Sequence, residues 1–318
     1  MLLIRRCLLC QSAALRMRKA GLTWLPPHHA AEIKASDSDA FRLAFSGDAA
    51  VDRYGDVAQV SARDSGDLRE IIRELVDRWG DYSDNPLLGI YGRELVHNPT
   101  LENRPYVLWG KPSSDSIATE LGFRYRLDFS AGYSCGLFLD QRANRHFLAD
   151  FKPQKVLNCF AFTCAFSVVA AASGADTLSL DLSKPALERG RDNFELNQIE
   201  RGRHRFLRDD VFDVLPRLAR RGETFDAIIL DPPTFSRSRG RRVWQVEKDL
   251  GSLLTLGKSC LAPGGVILLS TNCSRLSSAS LRRLALQTSG FHTLASEVQP
   301  DFPEGQGART LWLRDAGA

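Results

Sequence analysis

From residue 155 onward the chain alternates short apolar runs with segments of helical period, and this alternation restricts the fold more than any other feature. VLNCFAF reads as a strand, followed by a helix over 164–173, the strand TLSLDL, a helix over 184–197 and the strand HRFLRDD. A helix over 211–221, the strand DAIILD, a polar loop, a helix over 244–261, the strand VILLST, a helix over 277–288 and a last strand, TLWLRD, complete the run. Strands separated by helices of about ten residues or more join through right-handed crossovers, which builds a parallel sheet covered on both faces. Such sheets take their ligands outside the carboxyl ends of the strands.

The first half of the chain has a different texture. FRLAFS and VAQVSA alternate as strands, with DRYGD between them as a turn-rich connection. Leu68, Ile71, Ile72, Leu75 and Trp79 recur at helical spacing behind Asp67, a suitable N-cap. LLGIYG and YVLWG follow as two short strands, so residues 37–112 form a small β-β-α-β-β unit. A hairpin-like stretch, FRYRLDFSAGYSCGLFLD, leads to a helix near 140–150.

Residues 1–35 hold six basic side chains against Glu32 alone, so most of the net charge of +4 sits there and the remainder is near neutral. A global basic field is therefore not an argument for nucleic acid. The Arg-rich start is compatible with a mitochondrial transit peptide, a bacterial tail or an over-extended start; cytoplasmic residence is the default. Hydrophobic residues at 43% and charged residues at 25% exclude wholesale disorder. The most apolar stretch, Phe160 to Ala172, is interrupted by Thr163 and Ser167 and falls short of the ~18–20 residues of a membrane span. Seven cysteines show no framework spacing, and Cys7 and Cys10 form no metal motif with other residues. No metal is expected.

The strand ends carry the candidate chemistry. The first ends at Asn158, Phe160, Thr163 and Cys164, a turn without the glycines that usually let a nucleotide approach. The second ends in Asp181, placed 23 residues after Asn158, where an acid accepts ribose hydroxyls. Asp209 and Asp210 end the third, Asp231-Pro232-Pro233-Thr234-Phe235 the fourth, and Ser270 to Ser274 the fifth. Any one of these acids could equally be a helix cap. Polar residues at every strand end in turn are a stronger signal.

On these residues the chain resembles the class I S-adenosylmethionine-dependent methyltransferases. VDRYGD (51–56), GLFLDQRANR (136–145), DPPTFSRSR (231–239) and NCS (272–274) are similar to bacterial large-subunit rRNA cytosine-5 and guanine-7 methyltransferases. The resemblance implies a Rossmann-like α/β methyltransferase domain over 116–318, the small α+β domain over 37–115 and a basic extension over 1–36. It implies S-adenosylmethionine as cofactor, held by Gln141, Arg142, Asn158, Phe160, Thr163, Asp181, Leu182, Asp210, Val211 and Asp231. Cys273 and Asp231 would be catalytic, and Pro232, Pro233, Phe235, Arg237 and Arg239 would meet the substrate. RNA, most simply ribosomal RNA, is the implied partner; the oligomeric state stays open, a homodimer included.

Two departures matter. The family turn reads F-x-Y-T-G, whereas Cys164 stands here in the glycine position, where its side chain faces the methionine part of the cofactor or turns away. The cytosine enzymes also carry an N-terminal PUA domain, for which the residues before the small unit are too few. Carbon 5 of cytosine needs a thiolate added at carbon 6, a role for Cys273, whereas nitrogen 7 of guanine has a free lone pair. The FLDQR and Cys-Ser motifs favour cytosine and the DPPTFS loop favours guanine. A small-molecule or protein substrate, or a non-catalytic RNA-binding relative, are the other readings. Arg237, Arg239, Arg241 and Arg242 suit phosphate contacts, while Arg201, Arg203, Arg205 and Arg208 read as a solvated face.

Overall fold

The computed structural model describes residues 21–63, 68–95, 105–113, 115–130, 134–237, 243–294 and 299–315. Two sheets organise them. The N-terminal sheet holds β1 (Thr23–Trp24), β2 (Ala40–Phe45), β3 (Ala49–Tyr54), β4 (Val57–Ala62), β5 (Gly89–Glu94) and β6 (Tyr106–Gly110) in sequence order. Helices α1 (Pro27–Ala35) and α2 (Leu68–Arg78) cover it, burying Ile33, Ile71 and Leu75 against Phe41, Leu43 and Val60.

The sequence reading placed β2, β4, α2, β5 and β6 but not the rest. DRYGD was expected as a connection; instead Asp52 and Arg53 lie inside β3, and only Gly55 (φ 62°) and Asp56 form the turn. The two charges are tolerated because each has partners. Arg42 donates to both Asp52 oxygens, at 2.8 and 3.3 Å, and Arg53 donates to Gly55 O, Tyr82 O and Ser83 Oγ. Residues 23–35 were expected within an extension, yet β1 pairs with β2, and Leu25, Ala30 and Ile33 join the core. Asp67, the expected cap of α2, lies outside the described residues.

A hairpin of β7 (Asp115–Glu120) and β8 (Phe123–Asp128) follows, starting earlier than the expected one. Then come α3 (Arg142–Phe151), β9 (Lys155–Cys159), α4 (Ala165–Ala172), β10 (Asp176–Asp181), α5 (Lys184–Leu196), β11 (His204–Arg208), α6 (Val211–Arg220) and β12 (Phe225–Leu230). The chain continues through β13 (Phe235–Arg237), β14 (Val243–Gln245), α7 (Val246–Lys258), β15 (Leu261–Thr271), α8 (Ser278–Ser289), β16 (Phe291–Leu294) and β17 (Arg309–Asp315). The second sheet runs β11-β10-β9-β12-β15-β17-β16. Its first five strands are parallel, and β17 inserts antiparallel between β15 and β16. The sequence reading found β17 but missed β16, whose four residues FHTL give too short a pattern. The loop expected before α7 contains the β13–β14 pair.

The α/β expectation follows from burial. Ala227, Ile228, Ile229 and Leu230 of β12 are all fully buried, the mark of a central strand covered on both faces. One face packs on α6, α7 and α8, the other on α3 and α4, where Phe166, Leu148 and Trp312 meet. A third cluster, with Tyr54, Phe129, Leu137, Cys164 and Phe194, joins the two sheets through the hairpin. Among the described residues no helix is long and apolar enough to cross a membrane.

Candidate active site

The chain leaves β9 for β10 and β11 on one side, then returns to β12 on the other. That reversal opens a crevice at the carboxyl ends of β9 and β12. Leu180, Cys159, Leu230 and Leu269 lie in register across four strands. The residues that follow them, Asp181, Phe160, Asp231 and Ser270, therefore emerge side by side.

The turn after β9 is tightly wound. Phe160, Phe162 and Cys164 have φ of 59°, 49° and 62°, a region that costs non-glycine residues about 1–2 kcal/mol each. Backbone bonds hold it: Ala161 N–H donates to Leu180 O, Cys164 N–H to Ala161 O, and Phe162 N–H to Asp181 Oδ2 at 2.8 Å. The hydroxyl of Thr163 donates to Gly136 O, and Asn193 Nδ2 donates to Thr163 O at 3.0 Å. The Cys164 side chain faces α5 rather than the crevice. A Cβ added at Gly190 would lie 2.4 Å from its sulfur, and burial pushes the thiol up to about 12.

Asp181 accepts from Phe162 N–H on one oxygen and Ser183 N–H on the other. Burial raises its pKa, and these donors oppose the rise. Beside it Leu182 is 42% exposed. Asp210 caps α6 by accepting from Phe212 N–H at 2.9 Å, and Val211 is buried beneath it. Asp209 is held down by the hydrogen bond from Arg217.

Asp231 opens the Asp-Pro-Pro corner. Burial raises it to about 6; Asp140 adds to the rise, while the Ser270 hydroxyl and Arg145 oppose it. Gln141 donates to Ser270 Oγ at 2.9 Å and to Asp231 Oδ2 at 3.3 Å. Pro232 is buried and Pro233 exposed. Trp244 fastens the corner by donating to Pro233 O at 2.6 Å, and its ring packs near Phe160 and Phe212.

Three expected site residues are buried, and the first two are engaged by other partners. Asn158 is buried and donates to Ser167 Oγ at 2.9 Å, tying β9 to α4. Arg142 donates to both oxygens of Asp301, at 2.5 and 3.1 Å, and to Ala40 O. Asp301 also accepts from Arg42 N–H, so Arg142 clamps the N-terminal sheet. Cys273 is 3% exposed within an apolar cluster that includes Leu281 and Leu311. The backbone of Phe235 and Arg237 pairs with Gln245 and Val243, whereas Arg239, Arg241 and Arg242 lie outside the described residues. Of the other arginine group, Arg203 pairs with Asp176, Arg205 with Glu223, and Arg208 donates to Leu182 O.

Sequence reasoning missed Ser270 as a partner of Asp231, and Trp244. The signal for Ser270 was its position at a strand end level with the Asp-Pro-Pro corner; an isolated Trp after a basic loop gave none.

The seven-stranded order, with its single antiparallel insertion and an acid at the end of each of β10 and β12, defines a Rossmann-like methyltransferase. The chain belongs to the S-adenosylmethionine-dependent methyltransferase family, whose profile matches residues 91–313. It is 34% identical over 241 residues to ribosomal RNA large subunit methyltransferase I of Aeromonas salmonicida, covering 73% of this chain and 59% of that one. It is 33% identical to ribosomal RNA large subunit methyltransferase K/L of Pseudoalteromonas translucida, over 65% of this chain and 30% of the relative. The chain thus spans less than two thirds of the length of these relatives. A proposed methyltransferase complexed with SAH superposes with a TM-score of 0.71 at 26% identity, over 90% of this chain and 81% of the other. The methyltransferase from Agrobacterium tumefaciens shares the fold at a TM-score of 0.68.

The crevice suits S-adenosylmethionine, the cofactor of the family. Asp181 keeps lone-pair capacity beyond its backbone donors, Leu182 offers an exposed apolar surface, and the Cys164 sulfur is turned out of the way.

Proposed function

We propose that this chain methylates a base of large-subunit ribosomal RNA, with cytosine carbon 5 as the acceptor. The observation that carries the reading is the in-register set Phe160, Asp181, Asp231 and Ser270 beside a corner fixed by Trp244. Its likeness to large-subunit rRNA methyltransferases supplies the substrate class.

S-adenosylmethionine, when bound, supplies a methyl group already activated as a sulfonium. The protein's task is then to align the acceptor and exclude water. Asp181 accepts the ribose hydroxyls, Leu182 and Val211 form the apolar side for the adenine, and Asp210 orders the loop beside it. The turn at Phe160 and Thr163 supplies the floor, and Gln141 orients Asp231. Pro232, Pro233 and Phe235 flank the base, while Arg237 and Arg239 meet phosphates. The Cys273 thiolate adds to carbon 6 of the cytosine, which makes carbon 5 nucleophilic enough to take the methyl group. Asp231 then takes the proton from carbon 5, and the thiolate leaves as the ring double bond re-forms.

A second reading, guanine nitrogen 7, is favoured by the burial of Cys273, since that acceptor needs no thiolate. Transfer of labelled methyl groups to rRNA fragments, followed by mass mapping of the product base, separates the two. SAH binding without labelling of any RNA would move the activity to a small-molecule or protein substrate.

A further inference from the structure

The indole N–H of Trp312 can only donate, and it donates to Asn144 Oδ1 at 3.0 Å. This fixes the Asn144 amide, whose Nδ2 donates to Gln141 Oε1 at 2.8 Å. The Gln141 amide is fixed in turn, with Nε2 toward Ser270 Oγ and Asp231 Oδ2. Because Ser270 Oγ accepts from Gln141, its own hydrogen is free to point at Asp231, the bond that holds that carboxyl down. Trp312, Asn144, Gln141 and Ser270 are all buried. Reversing either amide would set two acceptors or two donors face to face without water to relieve them.

We propose that Trp312 and Asn144 are positioning residues for Asp231, forming a one-way hydrogen-bond relay from β17, beside the edge strand of the sheet, to the Asp-Pro-Pro corner. The proposal deepens the functional reading above and rests on Asp231 facing the acceptor. The relay starts on β17, crosses α3 and ends where β12 and β15 emerge, so it joins the last strand to the corner. The charged groups around Asp231 are Asp140, which accepts from Ala308 N–H, and Arg145, which is paired with Glu120 of the hairpin. Neither bonds to Trp312 or Asn144 in these networks, so a change at Trp312 reaches Asp231 through the amides.

The test uses Trp312→Phe in the full chain, which keeps a ring against Phe147, now 4.4 Å away, and removes the donor together with part of the buried indole's volume. Titration of Asp231 is followed by carboxyl carbon NMR without cofactor or RNA, its resonance assigned by loss in Asp231→Asn. With the amides released, the donors to the carboxylate weaken and Asp231 titrates at higher pH than in the wild type. Methyl transfer falls about tenfold in kcat, the equivalent of one hydrogen bond. Asn144→Leu, of similar volume, gives the same displacement and serves if the first variant does not fold. An Asp231 titration identical in wild type and variants overturns the relay, whatever happens to melting temperature. A displaced titration with undiminished methyl transfer upholds the relay and removes Asp231 from the chemistry.

Discussion

Cys164 and Gly190 are steric complements: the sulfur occupies the space that a methyl group on the neighbouring helix would need. A Cβ at Gly190 would come within 2.4 Å of Cys164 Sγ, and Cys164 itself sits at φ 62°, a conformation suited to glycine. The side chain that stands in the family's glycine position has thus been accommodated on the far side of the turn, leaving the crevice open. Gly190→Ala should destabilise the protein by about 1–3 kcal/mol through overpacking. Adding Cys164→Gly should recover that loss, because the clash disappears and alanine is favoured over glycine within a helix by about 1 kcal/mol. Denaturant melts of the four members of the cycle test this. Additive effects would mean that the two residues are independent.

Asp181 has two duties, holding the turn and facing the crevice. Asp181→Ala should weaken binding of SAH, measured by calorimetry, by about 2–3 kcal/mol, since buried hydroxyls would lose their acceptor. It should also loosen the turn, because Phe162 N–H and Ser183 N–H lose their partner. Asp181→Asn separates the two: it retains an acceptor oxygen and should lose less. Unchanged affinity in both variants would move the cofactor elsewhere.

The raised pKa of Asp231 has a consequence for stability. Its folded value of about 6 exceeds the ordinary 3.8, so between those values the native state binds more protons than the unfolded chain. Stability from this group is therefore present at low pH and lost as pH rises through about 6, by up to about 3 kcal/mol. Asp231→Asn abolishes the titration. Its stability relative to the wild type should increase from pH 4 to pH 7 in urea melts. A constant difference across that range would place the carboxyl in water.

The parallel sheet and its crevice were legible because strand–helix alternation and strand-end acids are local signals. β3 was not, since Asp52 and Arg53 look like turn residues until Arg42, Tyr82 and Ser83, distant in sequence, supply their partners. Arg142 misled for the same reason: Asp301, far along the chain, takes its guanidinium away from the crevice. Asn158 reads as a ligand at a strand end, but Ser167 on α4 absorbs its amide. The orientation of Cys164 depended on a single missing methyl at Gly190, which no pattern in the turn itself reveals.

Replacing Arg237, Arg239, Arg241 and Arg242 together by Ala should weaken RNA binding and flatten its salt dependence. Each arginine–phosphate pair removed should lower the log–log slope by about 0.7 for single-stranded RNA. SAH affinity should stay unchanged. Equal slopes for wild type and variant, measured by fluorescence titration at several salt concentrations, would make the segment solvated surface only.

Cys273 decides the base. If cytosine is the acceptor, Cys273→Ala abolishes turnover while SAH binding survives, because the ribose and adenine positions proposed above lie at the end of β10 and the start of α6. The wild type should also trap RNA containing 5-fluorocytosine, since fluorine at carbon 5 cannot be removed as a proton and the thioether to carbon 6 persists. The thiol is buried beside Leu281 and Leu311, so trapping requires the segment after β15 to yield when RNA enters. Adduct formation should accordingly be slower than SAH binding and visible as a separate phase in a quenched time course. Full activity in Cys273→Ala without an adduct in the wild type would remove the thiol from the mechanism and leave nitrogen 7 of guanine, whose lone pair needs only alignment at the Asp231 corner.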